Sequence, residues 1–408
     1  MVFYIDFGRK WFHSLGETVK LFPVKMAKKV KKHRPLKVFE AFAGIGAQVT
    51  ALRRLGIQYE CVGISEWFID AIIAYDVIND DGTQIPIPSY EEQLEYLGQF
   101  TFSINSIDKI KNLKSLGKEK IERLYVANKR SKNLGSITEI KPEQMPKRID
   151  LLTYSFPCQD LSTGGKTEGM AKGSGTRSGL LWEIERLLIG MNERSCLPKY
   201  LLLENVATLI APSNAADLKQ WLDFLESLGY KNSEPTILDA SEFGVPQDRK
   251  RCIILSSLKK KYKINGNLKR KKKYNSLDFV FDDYTNPVYK QEADDASLNP
   301  TVSRQVMWRI NKRDPVTSKT IFHTITCNMD RSNNAGMMTY LLFPGRIYRL
   351  LTIREAFVMM GFTIDEYEKV KALGFSYRRM NKLIGNSIVV NVLSAVFREV
   401  FADRVTKR

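Results

Sequence analysis

The chain has 408 residues, a hydrophobic content of 43% and a net charge of +18. This length allows two or three domains, and the composition is that of an ordinary globular protein. No apolar run reaches the ~18 residues that a membrane-spanning helix needs. The first 25 residues include Asp6 and Glu17 and lack a clean apolar signal segment. We therefore expect a cytoplasmic protein that has no membrane as a partner.

The five cysteines are scattered along the chain without a C-x-x-C pair: Cys61, Cys158, Cys196, Cys252 and Cys327. An odd number with this spacing argues against a disulfide framework and against a zinc site. We expect most of them to be small buried side chains in a reducing compartment, and no metal is implied.

The positive charge is clustered. Nine Lys or Arg and no acid lie between Leu255 and Leu277, and residues 25–34 contain six further basic residues. Such clusters are typical of a polyanion partner, most often nucleic acid. Solvated loops and a generally lysine-rich composition are the alternative explanation.

In chain order, the first elements alternate between strand and helix. The strand "LKVFEAF" is followed by the turn "AGIGA" and a helix, then by the strand "YECVGIS" and the helix "FIDAIIAYDVI". Residues 79–135 are polar, Lys-rich and irregular in pattern, and we interpret them as an insertion. Residues 1–35 are interpreted as a basic N-terminal arm.

The alternation then resumes with the strands "RIDLLTYSF", "KYLLLENV" and "RCIILSSL" and with helices between them. This order predicts an α/β doubly wound, Rossmann-like sheet over residues 36–255. The alternation fails over residues 256–345, which predicts a second, smaller domain. Helical patterns return over residues 346–408, so we expect the chain to rejoin the first domain there.

The stretch "FEAFAGIGA" and Glu66 form the first candidate site. A Gly-rich turn after the first strand lets a ligand approach a helix N-terminus, and an acid ending the second strand can bind a ribose. Only two glycines are present, so a simple tight turn is an equal alternative. Trp67 could stack on an adenine or pack in the core.

Cys158 forms the second candidate site, because it follows Pro157 at the end of a predicted buried strand and precedes a Gly-rich loop. Ligands bind at such strand ends. None of the three histidines adjoins a motif, which disfavours a Cys–His protease. The alternative is a buried core cysteine.

Two further motifs place polar residues at strand ends. Glu204 and Asn205 end an apolar strand abruptly, where a carboxyl group can take part in proton transfer or simply cap a helix. Gln247, Arg249 and Arg251 alternate into the next strand, so their side chains share one face. Two guanidiniums on one face suit a phosphate or a polarised carbonyl, or form a basic strand edge.

In this order, the motifs resemble those of the cytosine-C5 DNA methyltransferases. The matching stretches are "FAGIG", Glu66-Trp67, "SFPCQDLS", "ENV", Gln247-x-Arg249-x-Arg251, "RLLTIRE" and "GNS", spread from Leu36 to Phe401. The stretch "GSGTRSGLLWEIER" is especially similar to the CpG methyltransferases of wall-less bacteria. Residues 256–345 resemble those enzymes poorly, and only "HTIT" matches a recognition-domain element there. The target sequence is therefore not carried over.

The resemblance implies S-adenosylmethionine as the cofactor. It would be bound by Phe42, Gly44, Ile45, Gly46, Glu66, Trp67, Glu139, Asn386 and Ser387, although the family usually has Asp where this chain has Glu139. The catalytic residues would be Cys158, Glu204, Arg249 and Arg251. Cys158 would add to C6 of a flipped-out cytosine, Glu204 would bind N3, and Arg251 would hold O2. Arg249 would support Cys158 or a flanking phosphate.

The implied partner is double-stranded DNA, contacted by Gln159, Ser162, Lys166, Arg177, Gln247, Thr324 and Thr326. A monomer is the family expectation, with a cognate restriction endonuclease acting independently on the same site as an option. Two other functions stay open: an RNA cytosine methyltransferase and a DNA-binding regulator without activity.

Overall fold

In the computed structural model, the described residues are 33–157, 170–173, 178–264, 268, 274–281, 283, 285–297, 301–303, 305, 306, 316–327, 329, 337, 338 and 349–406. Arg34–Arg408 cluster as one unit, and every element described below belongs to it. Cys158, Gln159, Ser162, Lys166 and Arg177 lie outside the described residues.

The centre of the fold is a mixed sheet in the order β2-β1-β3-β4-β7-β5, with β6 also paired to β7. Its strands are β1 Leu36–Ala41, β2 Tyr59–Ser65, β3 Leu151–Tyr154, β4 Tyr200–Val206, β5 Lys231–Asn232, β6 Thr236–Asp239 and β7 Lys250–Ser257. The first four strands run parallel, and β7 is antiparallel to β4. β3 and the first four residues of β4 are buried and mostly apolar, as strands covered on both faces are.

Both faces of the sheet are covered, which confirms the predicted α/β class. Successive side chains of a strand point to opposite faces. In β4, Leu202 belongs to one core cluster together with α1 and the C-terminal helices, whereas Leu201 and Leu203 belong to the other. This second cluster includes Trp221, whose indole donates to the Tyr154 hydroxyl at 3.1 Å.

The helices fall where helical patterns predicted them, except in residues 79–135 and 256–345, where the sequence predicted no helix. They are α1 Ala47–Arg54, α2 Ile69–Asn79, α3 Tyr90–Leu97, α4 Lys118–Arg130, α5 Leu181–Glu193, α6 Ala215–Ser227, α7 Pro287–Asp295, α8 Ile353–Met359, α9 Ile364–Lys371, α10 Tyr377–Gly385 and α11 Val390–Val400. Gly229 has φ +88° just after α6, a conformation that commonly ends a helix.

The insertion, residues 79–135, is more ordered than its sequence pattern predicts, since it contains α3 and α4. Ser89 and Glu92 form a capping box at the start of α3. Ile121 and Leu124 of α4 are fully buried in a third core cluster that includes Ile72 of α2. Lysine and glutamate side chains between these apolar positions hid the helical period. The insertion therefore packs as a small layer on the outside of α2.

The described part of residues 256–345 is tied to the sheet and to the C-terminal helices. Phe322 pairs with Gln247 in a parallel bridge. Glu292 of α7 accepts bonds from Arg354 at 2.8 and 3.0 Å, from the Tyr367 hydroxyl at 2.9 Å and from Lys371 at 2.7 Å. A two-stranded sheet joins β8, Met337–Met338, to β9, Arg349–Leu350.

Among the described residues, the stretch Tyr377–Val400 is apolar and long enough to cross a membrane by length and composition alone. However, 67% of that window is buried inside the fold. The stretch comprises α10 and α11, which pack against α1, α8 and the sheet as part of the main core. Buried core helices commonly pass such a test, so this finding is weak evidence for a membrane span.

Candidate active site

A cavity of about 420 Å³ lies at the carboxyl edge of the parallel strands. It spans the sheet from the end of β2 to the start of β7, which are about 19 Å apart at ~4.8 Å per strand. The predicted residues that line it together are Phe42, Gly44, Ile45, Glu66, Trp67, Glu204, Arg249, Arg251, Asn386 and Ser387. Such strand ends are where ligands of open α/β sheets bind.

At the β2 end of the cavity, main-chain N–H groups hold the Glu66 carboxylate. One oxygen, Oε2, accepts from Gly44 N at 2.9 Å. The other, Oε1, accepts from Trp67 N at 2.9 Å and from Phe68 N at 2.8 Å. Burial raises the pKa of Glu66 above its ordinary value, while these N–H groups and the Lys382 ammonium oppose the shift. The carboxylate is thus fixed in place beside the glycine turn.

The turn after β1 needs unusual backbone conformations. Gly44 has φ +55° with open space where a Cβ would stand, and Phe42 has φ +57°. A side chain other than glycine rarely takes such an angle, and strained backbone of this kind gathers at functional sites. Gly46 has φ +79°, and a Cβ there would come within 2.8 Å of the Tyr75 ring. Gly46 therefore allows α1 to pack closely on α2 and does not itself line the cavity.

Glu139 was expected beside an adenine, but the structure places it elsewhere. Its side chain is exposed, and the cavity is lined instead by Ser136, Ile137 and Thr138. These three residues directly precede Glu139. The cavity wall is therefore formed one to three residues earlier than the match of Glu139 to the family's usual Asp predicts. The Ser136 and Thr138 hydroxyls lie 2.9 Å apart.

At the other end of the cavity, side chains hold one another. Glu204 is 5% exposed, and its Oε2 accepts from the Ser155 hydroxyl at 2.5 Å. Arg251 Nε lies 3.3 Å from Glu204 Oε1. Tyr154 pairs with Leu203, so Ser155 follows the end of β3 beside Glu204, which stays in the sheet through its pairing with β7. Sequence reasoning missed Ser155, although its position at the end of the strand before Cys158 is a usable signal.

The described residues on either side of the Cys158 loop lie close to this carboxylate. Pro157 lines the cavity, and its carbonyl accepts from the Ser178 hydroxyl at 3.0 Å. Asn205 Nδ2 donates to the carbonyl of Phe156 at 3.1 Å, which fixes the chain just before Pro157. Pro157, which directly precedes Cys158, and Ser178 therefore meet at the Glu204 end of the cavity.

Gln247, Arg249 and Arg251 do face inward together, as their alternation predicts, whereas Asp248 and Lys250 between them are exposed. Their contacts differ from those expected. Gln247 is 0% exposed, donates to the carbonyl of Met359 at 3.1 Å and accepts from Ile325 N at 3.0 Å. A side chain that is sealed in this way has no surface for DNA, so the expected DNA contact of Gln247 is not retained.

The Arg249 guanidinium donates to three main-chain carbonyls. Nη1 bonds Ile325 O at 2.7 Å, and Nη2 bonds Ser387 O at 2.7 Å and Gly385 O at 3.2 Å. This arrangement joins the start of β7 to the "HTIT" segment and to the end of α10. Arg249 thus braces the floor of the cavity, while its expected support of Cys158 or of a phosphate stays a prediction.

Thr324 and Thr326 lie where the "HTIT" segment contacts the start of β7 and the end of α10, and they do not line the cavity. The Thr324 hydroxyl donates to the carbonyl of Asp248 at 2.5 Å. A Cβ at Gly385 would run into the main chain of Thr326 and Cys327. The glycine of the "GNS" motif is therefore required for close approach of two backbones, while Asn386 and Ser387 after it line the cavity.

The β2 end of the cavity has the chemistry that an adenosyl cofactor requires. It offers a carboxylate held by three N–H groups for ribose hydroxyls, apolar walls from Phe42, Ile45 and Trp67, and a glycine turn for close approach. Mostly apolar clefts with a few placed polar groups are typical of cofactor sites. These residues fit S-adenosylmethionine.

Comparison with known proteins agrees with this chemistry. Residues 92–402 match the family model of the C-5 cytosine-specific DNA methylases. An orphan methyltransferase of Spiroplasma monobiae, M.SssI, is 36% identical over 92% of this chain and 100% of that protein. The type II methyltransferase M2.ScrFI of Lactococcus lactis subsp. cremoris is 33% identical over 90% of this chain and 100% of its own length.

Solved structures show the same fold at lower identity. The S. pombe Dnmt2 methyltransferase superposes with a TM-score of 0.58 at 18% identity and covers 89% of this chain and 97% of that one. An Entamoeba histolytica methyltransferase, EhMeth, gives a TM-score of 0.53 at 14% identity, with coverage of 91% and 99%.

Proposed function

The chain belongs to the C-5 cytosine-specific DNA methylase family and is therefore a methyltransferase acting on DNA cytosine, and we propose that it methylates C5 of a cytosine flipped out of a specific duplex site. The observation that carries this proposal is the meeting of Glu204 and Arg251 at the carboxyl edge. They lie where the Cys158 loop begins, in one cavity with Glu66 and Trp67. This arrangement supports a base-binding end and a cofactor end.

S-adenosylmethionine would supply an activated methyl group when bound. Glu66 would accept hydrogen bonds from the ribose hydroxyls, since main-chain N–H groups already orient its carboxylate. Trp67, Phe42 and Ile45 would pack against the adenosine, and Asn386 and Ser387 would contact the remainder of the molecule. The close bonding of Glu66 to Gly44 supports a preformed site.

Cys158 is the proposed nucleophile. Its thiolate would form a bond to C6 of the cytosine, which makes C5 electron-rich enough to take the methyl group. Loss of the C5 proton and breaking of the C6–S bond would then release the product and the thiolate. The base has to leave the helix first, because a stacked cytosine exposes neither face to the sulfur or to the methyl donor.

Glu204 and Arg251 would bind the Watson–Crick edge of that base. A carboxyl group that donates a proton in a hydrogen bond to N3 offsets the negative charge that the ring gains when the thiolate adds to C6. Arg251 would donate to O2 from the adjacent position on β7. Ser155 would keep the Glu204 carboxyl oriented through the bond at 2.5 Å.

The remaining assignments follow the sequence. We propose residues 36–255 and 346–408 as the catalytic domain, residues 256–345 as the target recognition domain and residues 1–35 as a basic arm. The proposed partner is double-stranded DNA, approached by a monomer in the cytoplasm. A restriction-modification or host-protection role, with a restriction endonuclease acting independently on the same site, is proposed from the type II methyltransferase relatives.

The decisive experiment uses DNA that contains 5-fluorocytosine. Because fluorine cannot leave C5 as a proton does, the enzyme and cofactor should form a covalent adduct that survives denaturing electrophoresis. The Cys158→Ala variant should bind the same DNA but form no adduct and give no turnover. Bisulfite sequencing of DNA from expressing cells would then identify the methylated site.

Wild-type enzyme that methylates DNA without forming an adduct would contradict the covalent mechanism. Methyl incorporation into RNA but not into DNA would contradict the substrate. Retained turnover by Cys158→Ala would contradict the assignment of the nucleophile. Cys196→Ala is the matched control, since this buried cysteine lies outside the cavity lining and should leave adduct formation intact.

A further inference from the structure

The insertion reaches the cavity through a short turn, Ser103–Asp108. Ser103 N donates to the carbonyl of Trp67 at 2.7 Å, and the carbonyl of Ser103 accepts from Ile69 N at 3.0 Å. The turn is therefore fastened to the residues that directly follow Glu66. Its attachment point lies at the β2 end of the cavity, far from Glu204 on β4.

The turn is braced internally. Asn105 Oδ1 accepts from Ile107 N and from Asp108 N, both at 2.8 Å. The Ser103 hydroxyl donates to the carbonyl of Asp108 at 2.7 Å. Outside the turn, Lys382 of α10 donates to the carbonyl of Asn105, and its ammonium lies 4.9 Å from the centre of the Phe68 ring. These contacts fix which way the tip of the turn points.

The tip of the turn forms part of the cavity wall. Ser106, which has φ +60°, and Ile107 both line it beside Lys382 and Trp67. Ile107 is 56% exposed, and the hydrogen bond of its N–H to Asn105 fixes its main chain at the cavity. When a ligand covers an exposed apolar side chain at the mouth of a cavity, removal of that apolar surface from water contributes favourable free energy to binding.

We propose that the Ser103–Asp108 turn is a wall of the cofactor site, and that Ile107 packs against bound S-adenosylmethionine. This inference rests on the proposed function, because it assigns the insertion to that cofactor. In this proposal, the insertion between Glu66 and Ile137 positions the Ile107 side chain over the β2 end of the cavity. Ile107 acts in binding and takes no part in the chemistry.

The test measures binding of S-adenosylmethionine and S-adenosylhomocysteine to the full chain by titration calorimetry. Ile107→Ala should raise the Kd of both by roughly tenfold, as expected for the loss of one partly buried aliphatic side chain. Ile107→Asp should raise it further, since a charge would then face the ligand. KM for DNA and kcat at saturating cofactor should stay near wild type, because the contact serves binding alone.

Ile104→Ala is the matched control. Ile104 sits in the same turn and is 48% exposed, but it does not line the cavity. An unchanged Kd in Ile107→Ala, an equal rise in Ile104→Ala, or a change in KM for DNA alone would each overturn the inference. Wild-type protein that binds neither ligand would overturn the proposed function itself, so the two failures are distinguishable.

Discussion

Glu66 directly follows β2, Glu204 lies near the carboxyl end of β4, and both line one cavity, yet different kinds of partner hold them. Main-chain N–H groups hold Glu66 at both oxygens. Side chains, those of Ser155 and Arg251, hold Glu204. A main-chain cradle suits a ligand that binds in one orientation. A side-chain network can change its hydrogen bonds during a reaction. We therefore expect substitutions at the two ends to separate binding from chemistry.

Glu204→Gln should give the largest effect of the substitutions that test this contrast. The amide keeps the size of the carboxyl group and can still accept from Ser155, but it cannot exchange a proton with N3. We expect kcat to fall by about 10²–10⁴-fold, the usual contribution of a positioned acid or base. Single-turnover methyl transfer measures it.

Binding of S-adenosylmethionine to Glu204→Gln should match wild type, because the residue lies at the β4 end of the cavity. The matched control is Asp248→Asn, an exposed carboxylate that pairs with Lys250 at 3.5 Å on the same segment as Arg249. If Glu204→Gln kept the wild-type kcat, or if Asp248→Asn lost as much kcat, the Glu204 end of the cavity would not be specific to the chemistry.

Glu66→Gln should affect binding instead. The amide replaces one acceptor oxygen with a donor that faces main-chain N–H groups, and it removes the charge. We expect KM for S-adenosylmethionine to rise by about 10–100-fold, in line with the worth of hydrogen bonds to a charged group. At saturating cofactor, kcat should stay close to wild type.

Steady-state kinetics with varied cofactor would test that expectation. Glu60→Gln serves as the control, since Glu60 lies on the same strand and forms only long ion pairs at 3.7 and 3.8 Å. A fall in kcat with an unchanged KM would mean that Glu66 belongs to the chemistry.

Glu40 on β1 lies next to β2 and outside the cavity lining. We expect its substitution to have the smallest effect of the three, a change in the pH dependence of stability. This fully buried carboxyl accepts from the Tyr75 hydroxyl at 2.6 Å, and Cys61 Sγ lies 3.5 Å from that hydroxyl. Burial raises the pKa of Glu40 from 4.5 to about 7. The folded chain then binds more protons than the unfolded chain between those two values. Consequently, the free energy of unfolding should decrease as pH rises from about 4.5 to about 7.

Glu40→Gln should remove that dependence. Between pH 5 and pH 8, the wild-type free energy of unfolding should fall relative to that of the variant by about 1–3 kcal/mol, since one pKa unit corresponds to ~1.4 kcal/mol. Urea unfolding at both pH values measures the difference. The exposed Glu95→Gln control should keep the wild-type slope, and an identical slope in Glu40→Gln would show that Glu40 does not titrate in this range.

The sheet and the ends of its strands were predictable because they follow from short-range pattern. Apolar runs that end in Glu66 or in Glu204 indicated both the strands and the polar residues at their carboxyl ends. The alternation of Gln247, Arg249 and Arg251 correctly predicted a shared face. However, pattern does not reveal which distant segment covers that face. Main chain from around residues 325, 359 and 385 covers it, which seals Gln247 from solvent and ties the Arg249 guanidinium to main-chain carbonyls.

The wall of the cofactor end was the least predictable part of the site. Matching an acid to an expected acid suggested Glu139, whereas the chain enters the cavity at Ser136–Thr138. In the insertion, charged residues interrupt the apolar positions of α3 and α4, so no period was visible. Ile107 could not be inferred from sequence, since its place depends on the pairing of Ser103 with Trp67.

The contact of Gly385 with the main chain of Thr326 and Cys327 has a practical consequence for engineering. Arg249 bonds both sides of this contact, so it links Ile325, inside the proposed recognition domain, to the floor of the cavity at Gly385. A chimera that imports a new sequence specificity should be spliced outside Phe322–Cys327, leaving these residues native. A graft boundary placed within Phe322–Cys327 would disturb the packing against Gly385 and so change the shape of the cavity.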